Sequence, residues 1–319
     1  MTRFILRRAV QALIVLALMS VAVYGLIGLM PGDPIDEMIA ADPRLTAADA
    51  ARLKALNGLD KPLPERYLAW ARQAAHGDLG YSRLYNKPVL DVVVPRLGNT
   101  VALMASALMV ALVIAIPLGV LAARHDGRTL DQVINLGCFA GVSLPTFWLG
   151  LMLIVLFAVK LRWLPASGID TADGGALLER ARAMVLPIVT LAAVTIPVYT
   201  RHVRAAMIEV LGLDFIQTAR AKGASEARVT WRHALPNALM PVATLLALEL
   251  GGLFSGALVT EQIFAYPGMG KLIFDAVMGN DYNLALMALL FATFTTLAGN
   301  LGADLVYTRL DPRVRYDRR

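Results

Sequence analysis

From Ala9 to Met30 the chain carries no charged side chain. A helix over that stretch covers about 30 Å, the thickness of the hydrocarbon core of a bilayer. Comparable apolar runs recur at Thr100–Ala123, Val133–Val159, Ala183–Thr200, Leu239–Thr260 and Tyr282–Tyr307. With 57% hydrophobic and 17% charged residues and a mean hydropathy of +0.60, the chain is too apolar for an ordinary soluble surface. The expected fold is all-α: a polytopic membrane protein of six transmembrane helices.

Arg3, Arg7 and Arg8 ahead of the first run look like the start of a signal peptide. A signal core spans only about 7 to 15 residues, so an uncleaved first helix with a cytoplasmic N-terminus is expected instead. Residues 1–30 form this segment, residues 31–99 an outer cap, residues 100–308 a core of five further spans, and residues 309–319 a cytoplasmic tail. Within the cap, Thr46–Leu56 and Pro64–Ala75 read as short amphipathic helices, the first with Thr46 as N-cap. Pro117, Pro145, Pro187 and Pro197 fall inside or at the ends of spans, as membrane helices tolerate.

Orientation follows from the basic residues. Arg124 and Arg128, the six cations Arg201, Arg204, Arg220, Lys222, Arg228 and Arg232, and the tail from Arg309 fall on one side with the N-terminus. The short loops of the other side hold only Lys160, Arg162, Arg180, Arg182 and Lys271. The long cap is the segment expected to escape the positive-inside rule, and its acidic and basic residues balance. Both termini are therefore expected in the cytoplasm.

Several chemistries are disfavoured. Cys138 is the only cysteine, which excludes an intrachain disulfide and any multi-cysteine metal site. His76, His125, His202 and His233 are scattered rather than set at ligand spacing. The net charge of +6 sits beside apolar spans without stacking aromatics, so membrane orientation explains it and nucleic acid is not an expected partner. Gly268–Lys271 reads GMGK, yet Ala265 and Leu272 replace the first glycine and the magnesium-binding hydroxyl of a phosphate loop. No cofactor is expected on this chain.

The most informative loop lies at 201–238. From Leu213 to Pro241 it reads LDFIQTARAKGASEARVTWRHALPNALMP, between two apolar runs. Phe215–Lys222 holds good helix formers, Gly223 interrupts, and a second helical run from Glu226 is expected to stop near Pro236. Gly223 stands where the chain must turn sharply, so a positive φ is expected there.

This spacing resembles the cytoplasmic signature of ATP-binding-cassette importer permeases, in which a glycine is followed nine residues later by an I-x-L-P segment. Gln217, Thr218 and His233 depart from the general consensus. TARAKG with RHAL and NALMP looks like the peptide/nickel group, specifically its B-type subunits. FILRR, MPGDP, HGDLG with Ser82, SLPTFWLG, TEQIFAYPGMGKLIFDAV and DPRVR resemble the same group in order and spacing. The resemblance implies a permease of the bacterial inner membrane whose coupling helix, between spans four and five, docks on a separate ATPase. Asp214, Phe215, Gln217, Thr218, Ala219, Arg220, Ala221, Lys222, Gly223 and Ala224 would form that coupling element. It also implies a second related permease, two cytoplasmic ATPases that use ATP and magnesium, and an extracytoplasmic substrate-binding protein, with membrane lipid around the spans. Peptides are the first expected substrate, with glutathione or chelated nickel as alternatives.

Glu249 and Asp304 are the ionisable residues inside expected spans, where a carboxylate costs about 2.5 to 3.5 kcal/mol. Glu249 on a translocation path could meet a substrate's ammonium group; a carboxyl hydrogen-bonded between helices is the plainer alternative. Asp304, with Arg309 nearby, favours a structural role. Gly252 and Gly256 permit close helix approach. An ion-coupled secondary transporter or channel using Glu249 is the competing class, and inverted repeats would favour it. A membrane enzyme would need a catalytic cluster, which the sequence does not offer.

Overall fold

A computed structural model describes residues 2–28, 52, 61–167, 177–249 and 258–310. The expected helix Thr46–Leu56 apart from Arg52, the MPGDP and DPRVR blocks apart from their flanks, and Gly251, Gly252 and Gly256 lie outside the described residues. In chain order the elements begin with α1 (Thr2–Gly28), α2 (Leu63–Ala75), β1 (Tyr81–Ser82), β2 (Lys87–Pro88) and α3 (Val89–Arg124). Next come α4 (Thr129–Ser143), α5 (Thr146–Leu153), a π-helical segment (Ile154–Lys160) and α6 (Leu177–Leu211). Then follow α7 (Asp214–Ala221), α8 (Glu226–Arg228), a second π-helical segment (Val229–Ala234) and α9 (Leu235–Glu249). The remaining helices are α10 (Leu258–Ile263), α11 (Met269–Met278) and α12 (Tyr282–Leu310). The fold is thus mostly helical, with one small antiparallel pair in which Tyr81 faces Pro88 and Ser82 faces Lys87.

Four helices among the described residues are long and apolar enough to cross a membrane: Leu6–Gly28, Val89–Arg124, Leu178–Leu211 and Tyr282–Ala303. The expected straight span Val133–Val159 is corrected to two helices, Thr129–Ser143 and Thr146–Lys160, bent by 95°. Proline disfavours the α conformation of the residue before it. Leu144, ahead of Pro145, is accordingly extended at φ −80° and ψ 125°. Counted as one broken span, the pair makes five. The run expected at Leu239–Thr260 is helical up to Glu249 and again from Leu258, and positions 250–257 lie outside the described residues.

The chain divides into two compact units, each with its own core. The first comprises residues 1–98 and 268–297. Pro62 and Pro64 start α2 where a missing N–H costs nothing, with Glu65 in the first turn. Its aromatic side meets α1: Ser20 Oγ and Tyr67 Oη lie 2.8 Å apart, and Tyr24 stacks edge-on to Tyr67 with ring centroids 5.5 Å apart. Val89, Val92 and Val93 of α3 bury against Met269, Leu272 and Ala276 of α11 and Leu284, Ala285 and Ala288 of α12. The buried Asp281 carboxylate accepts from Ser82 Oγ at 2.6 Å and from the Leu84 N–H at 3.0 Å, fixing the β-pair to the start of α12.

The second unit comprises residues 99–267 and 298–319. Here α6 is central, packing against α4, α5 and α9. Tyr199, Val203, Met207 and Val210 recur at helical spacing along its buried stripe, as one face of an amphipathic helix requires. Gly119 of α3 permits the closest approach to that stripe: a Cβ there would lie 2.7 Å from Val203 Cβ and 2.8 Å from the Thr200 carbonyl.

Candidate coupling site

The expected coupling element divides differently from the sequence reading. Arg201 and Arg204 belong to α6, which runs on to Leu211, rather than to a loop beginning at 201. The second helical run does not stop near Pro236. It continues from Glu226 through the π-helical segment into α9, and just before Pro236 the Leu235 N–H donates to the Thr230 carbonyl, five residues back. The site is therefore a short helix, a tight turn and the beginning of a long helix.

The turn is a glycine-terminated helix end. Gly223 N–H donates to the Arg220 carbonyl at 2.9 Å, and Ala224 N–H donates to the Ala219 carbonyl at 3.1 Å. This is the paired Schellman arrangement, which needs a left-handed residue after the helix. Gly223 supplies it at φ +81°. Ala219 and Ala224, which this pairing brings together, both pack against the core of the unit.

Ile216 anchors α7. It is fully buried with Tyr199, Val203, Val229 and Ala234. The opposite side of the same helix is open: Phe215 is 42% exposed, and Leu213 just before the helix is 46% exposed. Asp214 sits exposed in the first turn, where a carboxylate suits the helix N-terminus. Gln217, Thr218, Ala221 and Lys222 are also exposed, and Thr218 Oγ1 turns back to donate to the Asp214 carbonyl at 3.0 Å. The result is a helix held on one side by Ile216 and Ala219, with Phe215, and Leu213 just before it, left open.

Two ion-pair systems stiffen the mount. Arg220 Nε donates to Glu226 Oε1 at 2.8 Å across the turn. That bond outweighs desolvation and, with the Arg220 and Arg124 charges, holds the Glu226 carboxyl below its ordinary pKa. Ser225 caps the following helix by accepting from the Arg228 N–H at 3.4 Å. On α6, Arg204 reaches Asp131 of α4 with both prongs of its guanidinium, Nε to Oδ1 at 2.6 Å and Nη2 to Oδ2 at 2.7 Å. Asp126 accepts from the same Nη2 at 2.6 Å.

Glu249 ends α9, and its side chain lies outside the described residues, as does that of Asp304. A different carboxylate is buried where the sequence reading named none. Glu261 is 0% exposed, and Thr100 Oγ1 donates to its Oε1 at 2.6 Å. Tyr266 Oη donates to the Asn99 carbonyl at 2.9 Å, and Asn99 Nδ2 donates to the Pro267 carbonyl at 2.8 Å. Glu261 lies beyond the last residue of the expected span, so a hydropathy window passes over it. Ile216 was equally hidden, because Phe215 beside it is as apolar and no periodic pattern in so short a helix tells which of the two faces inward. For Asp131, no spacing rule links it to an arginine on a distant helix.

GMGK forms no phosphate cradle. Gly268 precedes α11, Met269 and Gly270 are buried in its first turn, and Lys271 Nζ pairs with Asp275 at 2.7 Å. Among the described residues no group of three or more His, Cys, Asp or Glu side chains could hold a metal ion.

Several membrane-length helices define a helical integral membrane protein, which also carries a core-anchored helical turn with an exposed apolar side. Residues 115–316 match the family described as binding-protein-dependent transport system inner membrane component. Residues 1–104 match the corresponding N-terminal membrane-component family. The chain belongs to this family and is a membrane permease subunit of the bacterial inner membrane. It is 36% identical to the oligopeptide transport system permease protein AppB of Bacillus subtilis, over 99% of this chain and 100% of that protein. It is 37% identical to the di/tripeptide transport system permease protein DppB of Pseudomonas aeruginosa, over 92% of this chain and 93% of that one. Against the dipeptide transport system permease protein DppB of Escherichia coli the identity is 36%, over 99% of both chains.

Proposed function

We propose that this chain is one of two membrane subunits of an ATP-driven peptide importer, and that the segment from Leu213 to Ala224 couples it to a cytoplasmic ATPase. The observation that carries the reading is the two-sided character of α7: Phe215 is exposed while Ile216 is locked into the core shared with α6 and α9. A partner gripping the open side would move those two helices with it. Asp214, Gln217, Thr218, Ala219, Arg220, Ala221, Lys222, Gly223 and Ala224 complete the element.

In this reading the chain has six spans, with the broken pair at Pro145 as the third and the stretch from α9 to α10 as the fifth. Both termini and the coupling turn face the cytoplasm, which the distribution of Lys and Arg supports. Two ATPase subunits bind ATP and magnesium, a related permease completes the path, and a substrate-binding protein delivers cargo from outside. Peptides are the proposed cargo because AppB and both DppB relatives carry oligopeptide, di/tripeptide and dipeptide transport in their names. ATP binding would rock the helices held by the coupling turn and open the path outward. Glu249 would line that path and meet a substrate's ammonium group.

The test is reconstitution of the assembled transporter with and without Phe215→Asp. Loss of ATPase co-purification and of transport, with normal insertion of the chain, is the expected result. Full transport by that variant would remove α7 as the coupling element. For Glu249→Gln, slower uptake of zwitterionic peptides in an intact assembly is expected; unchanged kinetics would remove Glu249 from the path.

A further inference from the structure

The start of the long helix after the coupling turn has two faces. Val229, Thr230 and Ala234 point inward and are all buried. Between them Trp231 stands 50% exposed, with Arg232 beside it and Arg228 one turn earlier, both also exposed. Nearby, Arg204 is neutralised by Asp126 and Asp131 and Arg220 by Glu226, while Arg201 lies over the Phe139 ring at 5.1 Å. Arg228 and Arg232 have no carboxylate partner among the described residues.

This pair of cations occurs where the helix passes into an apolar run. Continuing by helical spacing from Arg232, the exposed positions are Pro236 and Met240. The charged face is therefore continuous with an apolar one, as at a boundary between headgroup and acyl chain. Exposed tryptophan prefers that depth, with its ring in the acyl region and its N–H toward water. Guanidinium groups bind phosphate oxygens as planar forks.

We propose that Arg228, Trp231 and Arg232 form a binding face for the phosphodiester headgroup of an anionic phospholipid. The lipid would seat its phosphate between the two arginines and lay its glycerol backbone against the indole. Headgroup occupancy fixes the depth of the coupling turn in the bilayer. This inference needs only that the chain resides in a membrane, so it stands apart from the ATPase reading.

The test uses the full chain in symmetric nanodiscs, where topology does not affect the result. With Trp70→Phe, Trp148→Phe and Trp163→Phe, Trp231 is the one remaining tryptophan and is excited at a wavelength the tyrosines do not absorb. Brominated phosphatidylglycerol is compared with brominated phosphatidylcholine as quencher. The expected result is half-maximal quenching at a mole fraction about fivefold or more lower for the anionic lipid. The preference should vanish with Arg228→Gln and Arg232→Gln together and return in part with Arg228→Lys and Arg232→Lys, which restore the charge but not the planar fork. Equal quenching by the two lipids would overturn the proposal. So would a preference that survives the double glutamine variant, or one that it loses together with the fold as read by circular dichroism while the lysine variant also fails to restore it. If the double glutamine variant retains the lipid preference but no longer retains the ATPases in detergent, the face is a protein contact and the proposal fails while the coupling reading stands.

Discussion

Arg204 on α6 grips Asp131 on α4 through two parallel hydrogen bonds of 2.6 and 2.7 Å, although the residues lie 73 positions apart. Asp131 is only 3% exposed and also accepts from the Gly127 N–H at 3.0 Å and from Asn135 Nδ2 at 2.7 Å. Its carboxylate is thus fully engaged, and the end of α6 that leads into α7 is fixed to α4.

Removing the arginine should cost more than removing the aspartate. Arg204→Ala leaves a buried carboxylate without its cation, a loss of about 3 kcal/mol. Asp131→Ala leaves Arg204 still paired with Asp126 at 2.6 Å, so its effect should be smaller. Thermal unfolding of the detergent-purified chain measures both, and equal losses would show that the Gly127 and Asn135 bonds lost with Asp131 outweigh the pair that Asp126 retains.

The Gly223 prediction separates backbone strain from crowding. A Cβ at Gly223 would meet nothing within 4 Å, so the φ of +81° alone resists substitution. Gly223→Val should cost about 1 to 3 kcal/mol of local strain, whereas Gly223→Asn should be milder because asparagine tolerates the left-handed region. Transport and ATPase co-purification should fall in the order glycine, asparagine, valine. Equal activity of all three would show that the turn can reorganise without consequence.

Acid should loosen the turn later than an ordinary glutamate would suggest. The folded pKa of Glu226 is lowered by Arg220, so the pair's contribution is present above the unfolded value of about 4.3 and is lost as pH falls through the lower folded value. Carboxyl-carbon NMR of Glu226 should give a midpoint below that of Arg220→Gln. The pair is exposed, so added salt should bring the two midpoints together.

Ala265 presents the opposite case to Gly223. The helix end after Ile263 has the same pattern of bonds, with Ala265 N–H donating to the Gln262 carbonyl at 3.2 Å and Tyr266 N–H to the Glu261 carbonyl at 2.8 Å. Its left-handed residue is an alanine at φ +46°, which strains an L-residue. Ala265→Gly should therefore raise stability, by about 0.5 to 1 kcal/mol. A lower melting temperature would show that the alanine methyl makes a compensating contact.

Helical membrane-spanning character, the helix Leu63–Ala75, the short helix ahead of a sharp turn and the left-handed Gly223 were all legible from the sequence. Each depends on local information: the length of an apolar run, a proline at a helix start, or a glycine between helix formers. The break at Pro145 was also local, but proline is common inside membrane helices, and hydropathy alone does not distinguish a tolerated kink from a 95° bend. Ile216 as the anchor, Glu261 against Thr100 and Asp131 against Arg204 were decided by tertiary structure. These pairings join residues far apart in the chain, and their energy exists only once packing removes them from solvent, so neither spacing nor composition registers them.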